Sequence, residues 1–172
     1  SDATELGASW YATVADMAYN YRINEIYAWG QEIESSDLPQ GRKHVTEMFL
    51  KMEDGNRLEA IDNFGGHAGI IPVTKGGKIY LLVYNHNTTR NSTASRTMYP
   101  ILEGGEISGA TSWKMNEWTI DKNHGIMMHE LYKDLRAAGV SESDGRIYGN
   151  RPSDRFGDGW KDVLNANLSK YT

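Results

Sequence analysis

The residues best placed to do chemistry lie between 107 and 139, in the run ISGATSWKMNEWTIDKNHGIMMHELYKDLRAAG. A Trp-rich strand is expected there, then a tight Lys122-Asn123-His124-Gly125 turn, then the cleanest amphipathic helix of the chain. A glycine-containing turn that opens a helix presents N–H groups without intrahelical partners at the positive end of the helix dipole. That arrangement suits an anion such as a phosphate. Lys122, Asn123, Gly125, Ile126 and Met127 are the candidate anion-binding residues, with His124 among them.

Other constellations are missing. His129-Glu130 does not begin an HExxH zinc motif, because Lys133 stands where the second His belongs. His44, His67, His86, His124 and His129 have no metal-ligand spacing, so no metal is expected. There is no Gly-x-Ser-x-Gly elbow, and the GGK of PVTKGGK lacks the rest of a phosphate-binding P-loop. Without cysteine there is no thiolate ligand, disulfide or Cys nucleophile.

At 172 residues the chain is long enough for one domain with a proper core, and 1–172 is read as a single domain. Its 39% hydrophobic and 24% charged residues are those of an ordinary globular protein. A formal charge of −5 weighs against general binding to nucleic acid or anionic membranes. No apolar run reaches membrane-spanning length and SDATELG has no signal-peptide pattern, so a cytoplasmic location is expected. Asn87, Asn91 and Asn167 head Asn-x-Ser/Thr triplets, which arise easily by chance in so Asn- and Thr-rich a chain.

The elements that must position the turn can be taken in order. In residues 8–34 Trp10, Val14, Met17 and Tyr21 recur at helical spacing after a Ser9 N-cap, predicting a helix that continues through Ile26 and is ended by the Asp37-Leu38-Pro39 turn. Val45, Met48, Phe49 and Met52 predict a second, ended by Asp54-Gly55-Asn56. RLEAID, GHAGIIPVT and KIYLLVYN read as strands, the last two joined by a hairpin at Lys75-Gly76-Gly77. KIYLLVYN is apolar enough to be covered on both faces. Residues 85–98 form a long polar loop, and Tyr99 to Leu102 return to the sheet. In the Trp-rich strand Trp113, Met115, Glu117, Thr119 and Asp121 share one face. Met128, Leu131, Tyr132 and Leu135 then stripe the central helix, with Gly139 at its C′ position. GRIYGN is a short strand and Trp160 to Leu168 a last helix. Segregated helices and a mostly antiparallel, mixed sheet define an α+β fold.

This order, with the turn, resembles the GNAT acyltransferase family. There two helices follow a first strand, and antiparallel strands come next with the fourth splaying from the fifth. An Arg/Gln-x-x-Gly-x-Gly/Ala turn opens the helix after strand four and cradles the pyrophosphate of acetyl-CoA. The matching residues are Lys122-Asn123-His124-Gly125-Ile126-Met127, and Asn150 and Gly159-Trp160 are similar to positions downstream. The chain departs from the pattern at Lys122, which lacks the forked guanidinium, and at Met127, which replaces a small residue. The family's usual tyrosine acid would fall near Gly157.

The resemblance implies direct acyl transfer from an acyl-CoA to a small-molecule or protein amine, with Lys122, Asn123, Gly125, Ile126, Met127 and Asn150 holding the cofactor-like substrate. Glu117 is the implied general base, in a partly desolvated position, with His124 next in line and Tyr148 or Tyr132 as acid. Two rivals stand beside it. Met127 and the missing tyrosine equally suit a non-catalytic acyltransferase-like binding or structural protein, for instance a virion component. A toxin-type hydrolase or nuclease would use His124, His129, Arg146 and Arg151, with Asp154 and Arg155.

Overall fold

A computed structural model describes residues 5–26, 41–61, 68–87, 97–104, 109–121, 123–124, 127–142 and 155–171. Over these the fold is α+β, with a three-stranded antiparallel sheet and five helices. In chain order they are α1 (Glu5–Asn20), α2 (Gly41–Met52), β1 (Asn56–Arg57), β2 (Ala68–Lys75), β3 (Lys78–Asn85), α3 (Met127–Ala137), α4 (Trp160–Ala166) and α5 (Leu168–Tyr171).

The sheet has the order β1-β2-β3, and its centre is the β2–β3 hairpin. Gly76 and Gly77 both have positive φ, 58° and 70°, as a two-residue turn matched to strand twist requires. β1 is only two residues long, where RLEAID had predicted a full strand. The reason lies opposite, at Pro72. Its carbonyl accepts from the Leu58 N–H, but on that same side it has no N–H to return, so the ladder ends there.

Ile71, Val73 and Leu82 turn one face of the sheet onto α1 and α2, with Ala8, Ala12, Val45 and Met52 across from them. The outer face is not covered as KIYLLVYN suggested. Only Leu82 of β3 is buried, and Val83 is 43% exposed. α2 keeps its expected apolar stripe. α1 does not. Its buried face is the small-residue series Ala8, Ala12 and Asp16, whereas Trp10, Met17 and Tyr21 of the predicted stripe are 45%, 50% and 74% exposed. Small side chains let the helix lie close to the sheet, and the larger ones are left outside.

α1 begins before Ser9, so Ser9 is no N-cap. It also stops before Ile26, at Arg22, whose φ of 56° is left-handed. There the Ile23 N–H reaches the Ala18 carbonyl and the Arg22 N–H the Tyr19 carbonyl, the paired bonds of a Schellman stop. α3 ends on the same motif with Gly139 at the left-handed position, as expected from the sequence.

A second hydrophobic cluster is built by Met128, Leu131 and Leu135 of α3, Trp160 and Leu164 of α4, and Phe156 just ahead of α4. Ile120 packs against both clusters. The last helix breaks at Asn167, whose side-chain amide donates to the Val163 carbonyl. Tyr99 and Ile101 are over 80% exposed and outside any strand, so the predicted return to the sheet does not occur. No helix among the described residues is long and apolar enough to cross a membrane.

Candidate functional site

The segment leading to the turn is not a strand. Residues 109–120 form no ladder, and 109–119 are exposed, with Trp113, Met115 and Trp118 at 59%, 83% and 62%. Alternation had suggested two sheet faces, but no described strand pairs with this run. Trp118 instead lies within 5.8 Å of the Lys51 ammonium. Glu117 is exposed and accepts a hydrogen bond from Thr119 Oγ1 at 3.1 Å, so the desolvation expected of a general base there is absent.

The turn itself is ordered by Asp121. Asp121 and His124 exchange backbone hydrogen bonds, and the Asp121 carboxylate accepts from the Asn123 N–H at 2.7 Å. The same oxygen lies 2.8 Å from His124 Nδ1. The Asn123 amide foremost, then the His124 imidazole, hold the Asp121 carboxyl below the usual carboxylate range. The chain's own carboxylate therefore engages the Asn123 amide that was expected to meet a phosphate. α3 opens at Met127, and its first N–H groups have no intrahelical acceptor.

His124 is the one predicted site residue that the described structure places in a catalytically readable arrangement. Its Nδ1 faces Asp121, and the side chain is 64% exposed. Donation from Nδ1 to the carboxylate leaves Nε2 as an acceptor facing solvent, the tautomer being assigned from that hydrogen bond. No contact joins Glu117 to His124 among the described residues. Tyr132 is packed beside Phe156 at 5.2 Å, on the second cluster. Lys122, Gly125, Ile126, Tyr148 and Asn150 lie outside the described residues, as do Arg146, Arg151 and Asp154.

The remaining His and Arg candidates are held apart by separate carboxylates. His129 Nε2 meets Glu5 at 2.8 Å, tying α3 to α1. Arg155 shares Glu142 with Arg136, a clasp between the end of α3 and the start of the C-terminal segment. Among the described residues no group of three or more His, Asp or Glu could hold a metal ion.

Two polar sites escaped the sequence reading. His86, assigned to the polar loop, is 8% exposed, and its Nδ1 is 3.1 Å from Ser9 Oγ. Because the Ser9 hydroxyl donates to the Leu6 carbonyl, the imidazole must be the donor, so this is a clamp and not an activated serine. The second is Asp16, 7% exposed, whose two oxygens accept from Arg57 Nη2 and from Tyr84 Oη at 2.7 Å. Gly69 makes room for that tyrosine, since a Cβ there would stand 2.5 Å from its hydroxyl. The available signal was the four-residue spacing of Asp16 from Ala12 and Ala8, which places it on the buried face.

In comparisons with known proteins, no family model, curated protein or solved structure matches this chain.

Proposed function

We propose that the chain is an acyl-CoA-dependent N-acyltransferase that moves an acyl group directly from a CoA thioester to an amine. The observation that carries this reading is the His124–Asp121 pair in the turn ahead of α3. In the proposed reaction the amine nitrogen attacks the thioester carbonyl carbon, its proton passes to His124 Nε2, and CoA leaves as the thiolate. Asp121 orients the imidazole and balances the imidazolium charge without taking the proton. This assigns the base to His124 in place of Glu117. Two N-terminal helices followed by antiparallel strands, with a later helix opening after a turn, support the same reading. The phosphates would fall to Lys122 and to the first-turn amides of α3 from Met127 onward.

A second reading, a non-catalytic binding protein, is favoured by one observation, the Asp121 carboxylate on the Asn123 amide. Calorimetric titration with acetyl-CoA and CoA separates the two. Saturable binding is expected, lost in Gly125→Trp and kept in His124→Gln. In an amine-acceptor assay His124→Gln should lower kcat by about 10²- to 10⁴-fold, the range for removal of a general base. No binding at millimolar CoA sinks the acyltransferase and leaves the binding protein.

A further inference from the structure

We propose that the cavity beside Asp16 and Arg57 binds a small amine that also carries an oxygen acceptor, an α-amino acid being the simplest such molecule. The cavity is about 380 Å³ and is lined by the last turn of α1, by β1 and the residues after it, and by Ile70 of β2. That volume lies at the small end of ligand sites, which span roughly 300–1,000 Å³.

Its chemistry is specific. The Arg57 guanidinium stacks on the Tyr19 ring at 4.5 Å and donates through Nη2 to Asp16. Among the described residues Asp16 is its only hydrogen-bond partner, which leaves N–H donors in a fixed fork for an oxygen ligand. An ion pair between a buried Asp16 and a half-buried Arg57 stabilises little more than an apolar pair would, so a role in presenting the guanidinium accounts for it better than stability does. Glu59 and Asn20 line the same cavity and, among the described residues, neither side chain has a partner. Arg57 and Asp16 cancel, so Glu59 leaves the cavity with a net negative charge that draws a cation. An ammonium at Glu59 and an oxygen at Arg57 satisfy both ends of one small molecule. The site is distinct from the His124 turn, and the inference does not depend on acyl transfer.

The test uses the full chain without CoA. Glycine, alanine and serine are titrated against ¹⁵N-labelled protein, with ethylamine (no oxygen) and acetate (no amine) as controls. Saturable shifts of the Asn20, Glu59 and Ile70 amides are expected for the amino acids, with both controls at least tenfold weaker. Glu59→Gln and Asn20→Ala, both at exposed positions, should each weaken binding severalfold while leaving the melting temperature unchanged. The absence of saturable shifts at millimolar amino acid overturns the proposal. So does binding that survives both substitutions, or that either control reproduces.

Discussion

Asp16 shows how one residue can govern a helix. Its carboxylate is buried between Arg57 of β1 and Tyr84 of β3, so α1 is registered on the sheet by a charge as well as by Ala8 and Ala12. Asp16→Ala should cost about 2–3 kcal/mol in denaturant unfolding, because the half-buried Arg57 and the Tyr84 hydroxyl both lose their charged acceptor. A loss below about 1 kcal/mol would mean that Arg57 escapes to solvent instead. Glu142 acts on the surface. Arg136 foremost, with Arg155, holds its carboxyl down to about 2 from an ordinary 4.5. A carboxylate depressed by folding contributes stability that is complete above its unfolded pKa and disappears as pH falls through its folded one. Glu142→Gln should therefore lower the melting temperature at pH 7, and the gap from the parent protein should close between about 4.5 and 2. A gap that persists at pH 2 would assign the effect to something other than the two arginines.

At the scale of elements, the two Schellman stops make an internal comparison. α3 ends on Gly139, whose lack of a Cβ suits the left-handed region, and the sequence announces it. α1 ends on Arg22 in the same region, and the sequence there reads as continuing helix. Arg22→Gly should stabilise the protein by about 0.5–1 kcal/mol, the cost of a left-handed non-glycine residue being relieved. Destabilisation would show that the Arg22 side chain matters more than its backbone. The Trp-rich run is a second case. Alternation at Trp113, Met115 and Glu117 satisfies the pattern of a strand, yet a strand also needs a partner ladder, and pattern carries no information on one. Trp113→Ala and Trp118→Ala should each change stability by no more than about 0.5 kcal/mol, as for exposed positions. A core-sized loss on either would restore the strand.

For the whole molecule, the described residues form two apolar clusters that share Ile120, with His129 and Glu5 joining α3 to α1 beside them. Local signals were enough for α2, the β2–β3 hairpin, α3 and the C′ glycine. Each rests on contacts or dihedrals within a few residues: an i, i+3, i+4 stripe, a Gly76-Gly77 turn, a glycine at φ 71°. The α+β class followed from their order. What tertiary structure decided was which face of α1 is inside, how far β1 extends, and which polar groups meet. Asp16, Arg57 and Tyr84 come from three elements separated by up to 68 positions, and no periodicity can announce such a junction. Pro72 stops β1 from across the sheet, a constraint invisible in the sequence of β1 itself. The turn at His124 lies between these cases. Its place before a helix was written in the sequence. That Asp121 would take the Asn123 amide and point the imidazole outward was settled only when the backbone closed on itself, because hydrogen bonds depend on distance and angle and not on order along the chain.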